Sequence, residues 1–250
     1  MTDLDREPTP NPEEALQTGF FTMHKDKEPT LAEVGETPAP WTLTGDAYIV
    51  ISRMPYEQTL HHSFIPSDLR SKLKSIFSMT MFVNYQSSNV GPYKELLYIP
   101  GQFSFTDEET HLSISKIYVS TWESVLNGKI NWGIPKERAD FNVEKIDHNR
   151  EKIAVSKNGQ LFAEFDFQTY GLTLPISTAM IPQRFRSLAQ DFGGKLFQYN
   201  PTSKGKMSYG KVLHSNIDGK YFPDLSKGKI LGVMRYTDFT MNFPISKIIG

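Results

Sequence analysis

The chain has no cysteine among its 250 residues. That excludes a disulfide framework, a thiolate nucleophile and a cysteine-ligated zinc, and it fits a reducing compartment. An excess of charge of one sign is also lacking. The 27 basic and 28 acidic residues leave a formal net charge of −1, so no global field draws in nucleic acid or an anionic membrane. No apolar run approaches the roughly 20 residues of a membrane-spanning helix. The opening stretch MTDLDREPTPNPEE has neither the basic nor the apolar region of a signal peptide. These absences lead us to expect a soluble, cytoplasmic protein. A domain of this size buries roughly 70–75% of its unfolded surface and needs no covalent or metal staple.

Familiar catalytic and cofactor motifs are missing too. The segment Gly205-Lys206-Met207-Ser208-Tyr209-Gly210-Lys211-Val212 approaches a phosphate-binding loop. However, Val212 stands where the magnesium-binding hydroxyl belongs, and a strand-like segment follows instead of a helix. The six histidines are scattered except for His61-His62, which on a strand would face opposite ways. No HExxH, no G-x-S-x-G elbow and no dinucleotide-binding glycine fingerprint occurs. Basic residues nowhere interleave with aromatics as on a nucleic-acid platform. No metal and no cofactor is therefore expected.

What is present reads as strands. Residues 1–40 are polar and punctuated by prolines, an arm or tail in which Gly19-Phe20-Phe21 is an apolar island able to dock on the body or on a neighbouring subunit. From Trp41 onward short alternating runs follow one another: 47–51, 79–85, 96–99 and 112–119. The clearest hairpin spans 152–167, with Asn158-Gly159 supplying the two positive-φ positions of a type I′ turn. Further strands are expected near 207–213 and 236–243. Helical spacing is expected after a cap at Ser67, over 121–127 with Gly128 as the stop, and over 184–190 with Gly193-Gly194 beyond it. Few short helices among many strands and turns imply a mostly β (α+β) domain over 41–250, an antiparallel barrel or sandwich.

Two segments stand apart. In Gly91-Pro92-Tyr93-Lys94-Glu95 a tight turn runs straight into the apolar strand Leu96-Leu97-Tyr98. In Gly128-Lys129-Ile130-Asn131-Trp132-Gly133-Ile134-Pro135-Lys136 a lysine follows Trp132, Ile134 and Pro135, a setting poor in water. Burial disfavours an ammonium, and a neutral amine is the form that attacks a ketone. The residues alone leave two readings of Lys136 open, a solvated turn lysine or a buried nucleophile.

These segments resemble the acetoacetate decarboxylase superfamily. That family carries Gly-Pro-Tyr-x-Glu followed further along by Gly-(Arg/Lys)-x-x-x-(Gly/Ala)-x-Pro-Lys, whose lysine forms a Schiff base. The present sequence reads GPYKE ending at Glu95 and GKINWGIPK ending at Lys136. The resemblance covers Asp46 to the C-terminus and is specific around 91–95 and 128–136. It implies a closed, cone-shaped antiparallel β-barrel with a pocket in its interior, and a homo-oligomer. It also implies Lys136 and Glu95 as catalytic groups, with Arg53 in YIVISR holding a substrate carboxylate. Tyr93, Trp132 and Ile134 are expected to wall the pocket. The decarboxylase proper has a second lysine directly after the reactive one. Here that place holds Glu137, which is expected to point away from the pocket. The implied activity is a Schiff-base lyase on a β-keto acid. The alternatives are aldolase or dehydratase chemistry in secondary metabolism, and non-covalent binding or shape-directed catalysis on a hydrophobic ligand.

Overall fold

The computed structural model describes residues 27–105 and 109–249. Residues 1–26 of the expected arm, with the Gly19-Phe20-Phe21 island, lie outside the described residues. The described strands begin with β1 (Trp41–Arg53), β2 (Phe77–Ser87), β3 (Tyr93–Ile99), β4 (Gln102–Ser104), β5 (Thr110–Leu112) and β6 (Lys116–Val119). It continues with β7 (Glu137–Arg138), β8 (Asp140–Lys145), β9 (Arg150–Lys157) and β10 (Gln160–Ser177). The last strands are β11 (Leu188–Phe192), β12 (Lys195–Tyr199), β13 (Thr202–Ile217), β14 (Lys229–Phe243) and β15 (Lys247–Ile249). Among the described residues the α-helices are α1 (Leu31–Val34), α2 (Tyr56–His62) and α3 (Trp122–Trp132), and short 3₁₀ turns occur in the loops between other elements.

Ten strands form one sheet in the order β7-β6-β3-β2-β1-β14-β13-β10-β9-β8, antiparallel except at β6–β7. Its two edge strands follow one another in the chain with Ala139 between them, so the sheet curls until its ends adjoin and forms a nearly closed barrel. The Asn158-Gly159 turn sits where alternation places it. Both residues have positive φ (52° and 77°), and Gln160 pairs with Lys157 across it.

The two faces of this sheet serve different ends. On one face Tyr48, Phe82, Tyr98, Tyr118, Phe165 and Phe167 pack with Ile153 and Val155, drawing on strands from both ends of the sheet order. A cluster built from both ends of a curled sheet is the barrel interior, and here large aromatic side chains fill it. Along β3 the alternate residues Tyr93, Leu97 and Ile99 turn to the opposite face. A second sheet, in the order β15-β12-β11-β5-β4, roofs that face together with α3. A cavity lined by both sheets lies under this roof. The cavity is bounded by strands β1, β2, β3, β6, β10, β13 and β14 of the ten-stranded sheet and by the second sheet, on the face opposite the aromatic cluster.

Several local expectations are corrected. Residues 184–190 are not a helix: Gln183–Phe185 make one 3₁₀ turn and β11 begins at Leu188. The stretch after Ser67 is 3₁₀, with Leu69 and Leu73 packed against Phe103. His61 and His62 lie in the last turn of α2, which the strand reading missed. Gly128 does not stop a helix, because α3 runs through it to Trp132 and is ended by Gly133 in the left-handed region (φ 64°, ψ 18°). Residues 35–39 lie along α3. Asn127 accepts a hydrogen bond from Thr37 N at 2.7 Å and Asn131 accepts one from Ala39 N at 2.9 Å.

Candidate active site

Helix α3 begins at Thr121, whose side chain accepts a hydrogen bond from Ser124 N. Ser124 and Gly128 are four residues apart and so share one helical face. After Gly133 reverses the chain, Lys136 N bonds to Ile134 O at 2.8 Å, and the Lys136 side chain returns across that face. A Cβ at Gly128 would stand only 2.8 Å from Lys136 Cδ. The glycine inside the helix is thus explained by the lysine stem lying against it.

Lys136 is 4% exposed. Its Nζ donates to Ser124 Oγ at 3.0 Å and lies 3.1 Å from Glu95 Oε2. It also stands 5.1 Å from the centre of the Tyr93 ring, within range of a cation–π contact. Glu95 faces the same side as Tyr93 on β3 and is equally buried. Its other oxygen, Oε1, accepts a hydrogen bond from the Tyr85 hydroxyl at 3.3 Å. Burial pushes the Tyr85 and Tyr93 hydroxyls well above their ordinary pKa, and the negative charge of Glu95 pushes the same way. Both phenols therefore remain neutral at physiological pH and can donate a hydrogen bond.

Glu137, next in the chain to Lys136, turns the other way and pairs with Lys116 and Lys157. Burial pushes its carboxyl up, but the hydrogen bonds and charges of these two lysines outweigh that and hold it below the usual carboxylate range. Two lysines already neutralise it, so it is not the carboxylate that meets Lys136. That carboxylate is Glu95.

Lys136 and Glu95 open onto the cavity of about 410 Å³ under the second sheet. Its walls are overwhelmingly apolar, with Met79, Met81, Leu97, Ile99, Ile114 and Met241 among them. Tyr93, Trp132 and Ile134 also line it. Trp132 is fixed by edge-on contacts with Trp41 (4.9 Å) and Phe243 (4.8 Å), and its Nε1 donates to Pro244 O at 2.7 Å. It is a rigid wall.

The fold thus brings together Lys136, Glu95, Tyr93, Trp132 and Ile134, and leaves Arg53 apart. Arg53 is the last residue of β1, exposed, and absent from the cavity wall. It follows Ile49 and Ile51, which do line the cavity, but the strand has run past the cavity by then. The arginine that lines it is Arg186. Sequence reasoning missed Ser124, Tyr85 and Arg186. Only Ser124 left a usable trace, its four-residue spacing from Gly128. Among the described residues no group of three histidine, aspartate or glutamate side chains is placed to hold a metal, and no helix is long and apolar enough to cross a membrane.

The family model for acetoacetate decarboxylase matches residues 37–231. The fold resembles the crystal structure of an acetoacetate decarboxylase from Legionella pneumophila, with 13% identity, a TM-score of 0.67, and 85% of this chain and 88% of that one covered. It also resembles an acetoacetate decarboxylase-like enzyme from Sphingomonas wittichii (11% identity, TM-score 0.65, 91% and 98% covered). A third similar structure is the enduracididine biosynthesis enzyme MppR complexed with pyruvate (13% identity, TM-score 0.60, 86% and 91% covered). No curated protein matches in sequence. With more than three quarters of its length matched by the family model and the same architecture, the chain belongs to the acetoacetate decarboxylase family.

Proposed function

We propose that the protein is a Schiff-base-forming lyase that decarboxylates a β-keto acid at Lys136. The observation that carries this reading is the buried contact between Lys136 and Glu95 at the wall of an apolar cavity. An ammonium must lose a proton before it can attack a carbonyl, and Glu95, 3.1 Å away, is the adjacent acceptor. The free amine adds to the ketone carbon, and the resulting carbinolamine loses water to give an iminium. The bond to the carboxylate carbon then breaks, CO₂ leaves, and the electron pair moves into the iminium to form an enamine. Protonation at carbon and hydrolysis by water release the ketone and restore Lys136. The apolar walls favour the bond-breaking step, because a carboxylate loses hydration against them whereas neutral CO₂ does not.

The departure at Glu137 bears on how Lys136 is activated. A neighbouring cation is not supplied by the next residue in the chain. Activation rests instead on proton transfer to Glu95, with Ser124 and Tyr85 holding the two partners.

A second reading keeps the imine and changes its fate. MppR has been crystallised with the condensation product of pyruvate and imidazole 4-carboxaldehyde. That precedent supports an enamine at Lys136 that adds to an aldehyde, or is released by the reverse reaction, without loss of CO₂.

The test is trapping. The protein is incubated with acetoacetate, longer 3-oxo acids or pyruvate, reduced with borohydride, and weighed by mass spectrometry. An adduct mapping to Lys136, absent in Lys136→Ala, is expected. CO₂ release from the trapping substrate separates decarboxylation from aldol chemistry. If no keto acid is trapped, the cavity is a non-covalent binding site and the lyase reading fails.

A further inference from the structure

Two cations face the cavity among its described lining residues, Lys136 and Arg186, and Glu95 is the one carboxylate. Lys136 is matched with Glu95. Arg186 has no such match. Its Nε donates to Ile181 O at 3.1 Å and its Nη1 to Asn200 Oδ1 at 2.7 Å, both neutral acceptors. Among the described residues no carboxylate lies within ion-pair distance of Arg186, and its Nη2 has no hydrogen bond. The guanidinium is half-buried and held in place from behind, with a full charge beside apolar walls.

Arg186 and Lys136 reach the cavity from different parts of the fold. Lys136 follows α3, whereas Arg186 stands two residues before Leu188 of β11 in the second sheet. The cavity that both cations face, about 410 Å³, holds about 14 water-sized groups at about 30 Å³ each.

We infer that Arg186 is an anion-binding residue. The ligand is then a mainly apolar compound of roughly a dozen heavy atoms whose carboxylate meets Arg186. A guanidinium whose neutral contacts already fix its plane offers its remaining N–H groups to a carboxylate at little entropic cost. In both the decarboxylation and the aldol-type readings this is an acid group of the keto-acid substrate. Placement of the ketone rests on the proposed Lys136 chemistry, whereas the anion site does not.

The experiment uses the full chain and unreactive probes. Binding of decanoate, decan-1-ol and methyl decanoate is measured by calorimetry in four proteins: wild type, Arg186→Gln, Arg186→Lys, and the double variant Lys136→Met/Glu95→Gln. Decanoate is expected to bind about tenfold or more tightly than the two neutral probes in wild type, the size of one charge-assisted hydrogen bond. The double variant should keep that preference. Arg186→Gln should abolish it while binding decanol within about twofold of wild type, which also shows that its cavity is intact. Arg186→Lys should keep part of it. Three outcomes overturn the assignment: no preference for decanoate in wild type, a preference that survives Arg186→Gln, or one that disappears in the Lys136→Met/Glu95→Gln protein, which would make Lys136 the anion site. Failure to trap an imine at Lys136 would leave this result untouched, so the two ideas fail separately.

Discussion

Replacing Gly128 by alanine should separate stability from chemistry at the Lys136 site. The new methyl would stand 2.8 Å from Lys136 Cδ and 2.9 Å from Cε. Carbon atoms prefer about 3.5–4.0 Å, so the lysine stem must retreat by roughly 1 Å. On the stability side two effects oppose each other. Alanine is better than glycine in a helix interior by about 1 kcal/mol, while overpacking costs about 1–3 kcal/mol. The net change should be a loss of no more than about 2 kcal/mol, and the fold should survive. The chemistry has no such compensation. A misplacement of about 1 Å can cost on the order of 10²-fold in rate, and here it breaks the geometry among Nζ, Ser124 Oγ and Glu95 Oε2. The assay pairs urea unfolding with the rate of borohydride-trapped adduct, using the keto acid that best traps wild type. An adduct forming at the wild-type rate in Gly128→Ala would refute the argument that the helix face sets the lysine's position.

Three further outcomes are expected. Lys136→Ala strands the Glu95 carboxylate in the wall and should cost about 3–5 kcal/mol in urea unfolding, with part recovered in Lys136→Ala/Glu95→Gln; equal stability of the two variants would contradict a buried ion pair. Glu137→Gln should leave the activity–pH profile in place and cost under about 1 kcal/mol, since its partners are partly solvated; a displaced profile would mean that Glu137 reaches the site. The hydrogen bonds from Arg150 hold the Asp166 carboxyl below its usual range, so its contribution is present above about pH 4 and is lost as pH falls through the lowered folded value. Acid unfolding of Asp166→Asn should therefore show a shallower pH dependence in that range than wild type, and identical slopes would remove Asp166 from the account.

The sequence made the chemistry more legible than its housing. Glu95 and Lys136 were visible because each sits in a short local pattern whose spacing is the signal. The Asn158-Gly159 hairpin was visible because a two-residue turn needs positive φ at both positions. Gly128 misled for an instructive reason. Read locally, glycine after a helical stretch is a stop, but its cause is a side chain eight residues later that needs the room. Residues 184–190 misled because their apolar spacing fits either period, and pairing with β5 and β12 decided for strand. Arg186 could not be found at all. It reaches the cavity through the register of a second sheet, whose contacts are long-range, whereas Arg53 stood at the end of a strand that the eye could follow.

The division of β3 between two cores has a consequence for how such a protein can change. Leu96 and Tyr98 are locked into the filled aromatic barrel, while Glu95, Leu97 and Ile99 face the cavity. Changing one set does not require repacking the other, because neighbours in sequence point into different compartments. A library that varies only cavity-facing positions on β1, β2 and β3 could reshape ligand preference while the barrel goes on folding as before. The alternation of a strand then acts as a partition between heritable novelty and structural constraint, and a single barrel can host new specificities without first being made more stable.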